Sequence, residues 1–308
     1  MTPTRLLALV TSIGALAACG GSASGSGGPD ERVDVAVGFY PYEFVTQRVG
    51  GDDVTMTNLT KAGGEPHDLE LSPRQVAALG ETDLVVYSKG FQPAVDEAVE
   101  QQAEGKALDV LTAVELQAAP EGEAHEDEGE AHEDEGLDGA DPHVWLDPVR
   151  LATIADAVAA RLSEIDPDSA EAYERRAGDL RSELESLDDE LRTGLASCAR
   201  KEVVTSHDAF GYLTGAYGLE QVPIAGLSPE DEASAGRLAE IAVEAKQEGV
   251  TTIFFEELVS PKVAESLARE VGATATVLTP LEGAPESGDY VSAMQDNLAT
   301  LRTALDCS

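Results

Sequence analysis

Apolar positions along the chain alternate between two periods. Short apolar runs at 33–39, 54–59, Leu84–Tyr87 and 107–110 predict strands, and segments with apolar residues every three or four positions at 42–49, Pro73–Leu79 and Pro93–Gln102 predict helices between them. The same alternation returns later, with strands at 203–205, 221–225, 251–255 and 274–278 and helices at 209–217, 234–248, 261–270 and 289–305. Strand and helix alternating at this spacing predict parallel α/β units with helices on both faces of a sheet.

Between the two sets, Pro148–Ile165 and 169–197 read as consecutive helices separated by Asp166-Pro167-Asp168. The second carries Tyr173, Leu180, Leu184, Leu187, Leu191 and Leu195 at spacings of three, four and seven, which places them on one face. At about 1.5 Å per residue it is roughly 40 Å long, and it reads as a rigid strut between two α/β lobes. A coiled-coil dimer is the competing reading, disfavoured by fewer than four heptads. A monomer is expected.

Residues 117–141 break the order. The sequence EGEAHED at 121–127 is repeated letter for letter at 128–134, and 121–135 holds nine acids, His125 and His132, and no base. Such a stretch lacks the apolar surface needed to fold and predicts a mobile acidic loop. His125 and His132 among carboxylates form a candidate accessory site that takes a divalent cation weakly; a solvated insertion with incidental histidines is the alternative.

Composition places limits on the rest. The 308 residues include 20 Lys and Arg against 59 Asp and Glu, a net charge of −39, which argues against nucleic-acid binding, because DNA and anionic lipid surfaces would repel the chain. A hydrophobic share of 42% is that of a packed globular protein, with a core large enough to need no staples. Met1 to Arg5 and a 13-residue apolar stretch at 6–18, too short to span a bilayer, predict a signal peptide. Leu16-Ala17-Ala18-Cys19-Gly20 looks like a bacterial lipobox with Cys19 as the lipidated residue; an ordinary cleaved signal peptide is the alternative. A Gly/Ser tether follows to residue 30. Cys198 and Cys307 then remain, and export to an oxidising compartment makes a disulfide between them the expectation, against two free buried thiols.

The organisation expected is therefore a signal peptide at 1–18, a lipidated cysteine and tether at 19–30, and an N-terminal lobe at 31–147 containing the loop 117–141. Linking helices at 148–198 and a C-terminal lobe at 199–308 follow.

Three histidines remain outside the loop. His67 lies in GGEPHDLELSP after the second strand, His143 in DPHVWLDP entering a helix, and His207 in SHDAFGYL where a strand turns into its helix. Ligands of open α/β sheets bind at the carboxyl ends of strands, where all three fall. Asp68, Asp141, Asp147 and Asp208 are close enough in sequence to orient an imidazole. Separations of 76 and 64 residues match no local zinc motif, so spacing alone leaves a metal site undecided. Trp145 and Tyr212 read as packing residues beneath. The sequence has no nucleophile elbow, HExxH or cofactor loop, and no enzyme is expected.

GGEPHDLELSP, DPHVWLDP, SHDAFGYL and LTPLEG at 278–283, with the lipobox and the acidic histidine loop, together resemble the metal-binding lipoproteins of bacterial zinc-uptake ABC transporters. The similarity runs from Val33 nearly to the C-terminus. It implies two Rossmann-like α/β lobes, each with a mainly parallel four-stranded sheet, joined by a long helix with one metal in the interlobe cleft. It further implies His67, His143 and His207 as ligands and Glu282 as the fourth, with Glu65 competing for that place because some relatives use an acid just before the first histidine. Three imidazoles and a carboxylate suit Zn2+, whereas manganese prefers more oxygen ligands. The function implied is capture of extracytoplasmic zinc at the cell membrane, where a lipid anchor holds the protein, and delivery to a membrane ABC permease. A surface adhesin or interaction lipoprotein with a structural metal, and a manganese or iron carrier of the same fold, are the alternatives.

Overall fold

The first parallel sheet is built from β1 (Val33–Val37), β2 (Val54–Asn58), β3 (Leu84–Tyr87) and β4 (Ala107–Asp109), in the order β2-β1-β3-β4. This computed structural model describes residues 32–118, 140–231 and 233–308. Cys19, with the whole predicted leader and tether, and His125 and His132 lie outside the described residues. Helices α1 (Tyr40–Gly50), α2 (Pro73–Leu79) and α3 (Pro93–Gln102) connect the strands. Local chemistry fixes their starts: Pro73 occupies the first turn of α2, and Ser72 with Gln75 forms a reciprocal capping box.

The second sheet repeats the first. Strands β5 (Glu202–Thr205), β6 (Glu220–Pro223), β7 (Thr252–Phe255) and β8 (Thr274–Val277) run parallel in the order β6-β5-β7-β8. They are connected by α6 (Gly211–Tyr217), α7 (Ala235–Gln247) and α8 (Lys262–Val271) and followed by α9 (Tyr290–Leu305). Gly218 and Gly272 end α6 and α8 with φ of 67° and 79°, the left-handed conformation that ends a helix without a Cβ clash.

Both sheets are covered on both faces, which explains their continuous rather than alternating apolar runs. In β3 the two-residue period sends Leu84 and Val86 to one face, and Val85 and Tyr87 to the other. In β5 it sends Val203 and Val204 to opposite faces in the same way. The inner faces share a single core that runs through both lobes, from Val35, Tyr42 and Trp145 to Phe210, Phe254 and Leu301.

Helices α4 (Pro148–Ile165) and α5 (Ala170–Leu195) pack on each other and close that core. The buried stripe of α5 is Tyr173, Ala177, Leu180, Leu184, Leu187, Leu191 and Leu195, the predicted face with Ala177 added. Its N-terminal half grips the first lobe: Arg176 donates to the Gly50 carbonyl at 2.9 Å and to Asp53 at 2.8 Å, and Arg48 pairs with Glu183. Its C-terminal half grips the second, where Asp188 accepts from Tyr217 at 3.0 Å and Glu190 from Gln295 at 2.9 Å.

Beyond α5, Cys198 and Cys307 form the expected disulfide. It ties the C-terminus to the entry of β5 across a separation of 109 residues, which in the chain-entropy account contributes about 5 kcal/mol. The ends of the acidic loop also meet, because Ala118 bridges Ala140 and Asp141 N–H donates to the Gln117 carbonyl at 3.0 Å. Residues 117, 118, 140 and 141 thus belong to the folded body rather than to a loop. Among the described residues, no helix is long and apolar enough to cross a membrane.

Candidate metal centre

The two sheets point the carboxyl ends of their strands at one cleft, where the topological switch of each falls between its first and third strand. Four side chains converge there. His67, His143, His207 and Glu282 each offer one ligand atom, and all four atoms lie within 4.8 Å of one another. The ring centroids form a nearly equilateral triangle, with His67 5.6 Å from both His143 and His207, and those two 5.4 Å apart. Glu282 Oε1 stands 3.5 Å from the Nε2 atoms of His67 and His207 and 3.7 Å from that of His143.

Each side chain is delivered by a different local device. His143 follows β4 through Asp141-Pro142. Asp141 Oδ1 accepts from both the His143 N–H at 2.9 Å and the ring Nδ1 at 2.8 Å, which turns Nε2 inward. A 3-10 turn at Val144–Leu146 separates His143 from α4, and Asp147 caps α4 by accepting from Val149 N–H at 2.8 Å. The motif DPHVWLDP therefore encodes, in order, a ring clamp, a candidate ligand, an aromatic anchor and a helix cap.

His207 sits two residues beyond β5. Its carbonyl accepts from Thr205 Oγ1 at 2.7 Å and Gln221 Nε2 at 3.1 Å, and its Nδ1 faces Glu256 Oε1 at 2.6 Å. His67 lies on the irregular segment between β2 and α2. That segment is pinned by the buried Gln92, which donates to Thr60 Oγ1 at 3.0 Å and to the Pro66 carbonyl at 3.1 Å. The His67 ring stands edge-on to Phe91 at 4.3 Å. Glu282 follows β8, next to Leu281, a fully buried leucine with φ of 58°. A non-glycine residue held in this region costs of order 1 kcal/mol or more, a cost that marks functional loops.

Among the described residues the inward atoms have no partners. The Nε2 atoms of all three histidines and both Glu282 oxygens are buried without a hydrogen bond. Buried polar atoms are normally satisfied, so a converging set left open fits a cation of tetrahedral N/O preference. Glu65 is absent from this set. Its Oε1 accepts from the His67 N–H at 3.1 Å, and burial, reinforced by the charge of Glu282, pushes its carboxyl up to about 7.

Charges inside the cluster are interdependent. Burial would raise Glu282, but the His207 and His67 rings 3.5 Å away hold its carboxyl below the usual range. Burial would lower His207, but Glu256 raises it to about 10. Burial lowers His143 despite Asp141.

Of the four acids nominated to orient an imidazole, only Asp141 does so. Among the described residues, Asp68, Asp147 and Asp208 make no hydrogen bond to a histidine ring, and Glu256, 49 residues beyond His207, takes the role expected of Asp208. Nothing in local spacing signals Glu256; its only trace is its place at the end of a predicted strand. Trp145 is a packing residue as expected, within 4.8 Å of Phe39, 5.2 Å of Phe91 and 5.1 Å of His143. Tyr212 does more than pack, since its hydroxyl donates to the Asp141 carbonyl at 2.8 Å and accepts from Gln117 N–H at 2.9 Å.

Residues 35–304 match the family described as zinc-uptake complex component A, periplasmic. High-affinity zinc uptake system protein ZnuA of Bacillus subtilis is 40% identical over 300 residues, covering 94% of this chain and 93% of that protein. Zinc-binding lipoprotein AdcA of Streptococcus pneumoniae is 35% identical over 284 residues, which is 90% of this chain but 56% of AdcA. Among solved structures, the Zn(II)-bound ZnuA-like domain of Streptococcus pneumoniae AdcA superposes with a TM-score of 0.73 at 34% identity, covering 89% of this chain and 99% of that one. The laminin-binding adhesin Lmb of Streptococcus agalactiae gives a TM-score of 0.78 at 31% identity, covering 88% and 98%.

Proposed function

This chain belongs to the zinc-uptake complex component A family, and on that premise we propose that it is a solute-binding protein that captures extracytoplasmic Zn2+ and hands it to an ABC permease. The observation that carries this reading is the set of five unpartnered inward atoms on His67, His143, His207 and Glu282. Three neutral imidazoles and one carboxylate give zinc its preferred tetrahedral number and neutralise half its charge, while offering manganese too few oxygens. The protein is a transport component and not an enzyme: four protein ligands fill the shell and leave no position for a reacting water. A cavity of about 40 Å³ lined by Gly63, Glu256, Glu257, Pro280 and Glu282 adjoins the cluster and supplies an acidic approach for the cation.

Within this reading Glu282 is the fourth ligand and Glu65 is not. Cys19 carries the lipid that holds a monomer at the outer face of the cell membrane. His125 and His132 serve as a weak accessory site. The lobe division taken in this reading is 31–147 and 199–308, joined by the helices of 148–198 with α5 as the linker.

The test is a chelator-competed zinc titration of the chain and of its Glu282→Gln and Glu65→Gln variants. Nanomolar binding, about −12 kcal/mol, is expected for the parent and for Glu65→Gln. A loss of at least two orders of magnitude, about 2.7 kcal/mol, is expected for Glu282→Gln. Equal affinity of parent and Glu282→Gln would overturn the ligand set. A second reading, an adhesin that also carries metal, draws on the laminin-binding relative, and laminin binding by the zinc-loaded chain would establish it.

A further inference from the structure

His143 and His207 are clamped alike, and His67 is not. Each clamped imidazole turns Nε2 to the centre and presents Nδ1 to a buried carboxylate, Asp141 in one case and Glu256 in the other. Glu256 is the less obvious of the two. It comes from the end of β7, the strand beside β5, and it is 2% exposed. Ser206 Oγ donates to the same Glu256 oxygen that faces His207 Nδ1. The His207 carbonyl is held independently by Thr205 and Gln221, so both ends of the residue are fixed. By contrast, Glu65 accepts only the backbone N–H of His67, whose ring rests on Phe91.

We propose that Glu256 is a positioning residue for the cargo: by accepting Nδ1–H it locks His207 in the one tautomer and rotamer that aim the Nε2 lone pair into the cleft. Glu256 Oε1 already accepts from Ser206 and lies 2.6 Å from the ring nitrogen, so this oxygen serves as the acceptor for Nδ1–H, and Nε2 is left as the donor of electrons to a metal. The hydrogen bond also makes the imidazole a stronger base toward the cation, as carboxylate–histidine–zinc chains do. Because Glu256 crosses from the neighbouring strand, it couples the aim of His207 to the alignment of β5 and β7. The assignment rests on the zinc-cargo reading above.

The experiment compares the full chain with Glu256→Ala and Glu256→Gln by chelator-competed zinc titration and by long-range 1H–15N NMR of the zinc-loaded histidines. The parent is expected to show His207 bound through Nε2 with a protonated Nδ1. Glu256→Ala is expected to bind zinc about 10- to 100-fold more weakly and to lose the fixed Nδ1–H signal. Glu256→Gln keeps a carbonyl acceptor, so it is expected to retain that signal and bind within about threefold of the parent. A merely structural role would not let the amide restore both readouts. Parent-like affinity in Glu256→Ala, or loss of the Nδ1–H signal in Glu256→Gln, would overturn the assignment. If Glu256→Ala fails to fold, the glutamine variant decides alone. A parent without tight zinc binding would instead overturn the cargo reading and this assignment with it.

Discussion

The Trp145 indole donates to the Pro280 carbonyl at 2.7 Å, joining the turn that carries His143 to the loop that carries Glu282. Tyr290 returns a second bond from its hydroxyl to the Trp145 carbonyl at 2.6 Å. Two of the four cluster residues are thus set in register by a link made entirely of packing residues. Trp145→Phe keeps an aromatic ring beside Phe39 and Phe91 but leaves the Pro280 carbonyl without its donor. Denaturant unfolding is expected to show a loss of about 2 kcal/mol, the cost of an orphaned buried carbonyl. Zinc affinity should fall with it; an unchanged midpoint and affinity would mean that the loop is held by other contacts.

Gly211 opens α6 directly beneath the clamp on His143. A Cβ placed there would meet Asp141 Oδ2 at 2.8 Å, and Asp141 is buried with its other oxygen committed to the His143 ring. Gly211→Ala is therefore expected to weaken zinc binding by about 10-fold or more while helix α6, with alanine at its first position, stays intact. Chelator competition and far-UV circular dichroism on the same sample would separate the two effects. Parent-like affinity would show that the Asp141 carboxylate can rotate away at no cost to the ligand.

The two clamped histidines, His143 and His207, show what the sequence made legible. Both sheets, the paired helices and the buried stripe of α5 follow from local periodicity, because each strand and helix buries a face whose period is written in consecutive residues. Strand ends differ by one or two residues, as at β1, which stops at Val37 rather than 39 because Gly38 already turns toward α1. His143 with Asp141 was readable because the histidine and its clamp are two residues apart. His207 with Glu256 was not, since their hydrogen bond depends on β5 and β7 lying side by side, and strand order is a property of the whole fold. Gln92 and Phe91 escaped for the same reason: they brace the His67 segment from another connection of the sheet.

Away from the cleft, Glu202 begins β5 among other acids. Partial burial, with Glu248, Glu244 and Glu220 nearby, pushes its carboxyl up from 4.5 to about 7. The folded protein therefore keeps a proton there that the unfolded chain has released, so stability falls as pH rises from about 4.5 to 7. Glu202→Gln removes the charge that causes this. Its melting temperature is expected to exceed the parent's at pH 8 and to converge on it at pH 5. A difference that is constant across this range would assign the effect to packing rather than to ionisation.

Removal of the metal separates a cargo from a structural ion. The core that runs through both lobes contains none of the four cluster side chains, and α5 is bonded to both lobes by its own ion pairs and hydrogen bonds. Chelation is therefore expected to leave the far-UV circular dichroism spectrum unchanged and the thermal transition cooperative. Adding zinc should then raise the transition by mass action alone, by about 4 kcal/mol at a free concentration a thousandfold above Kd. Collapse of the helical signal on chelation would instead make the ion part of the fold, as in small domains that exist only with their metal, and would end the cargo reading.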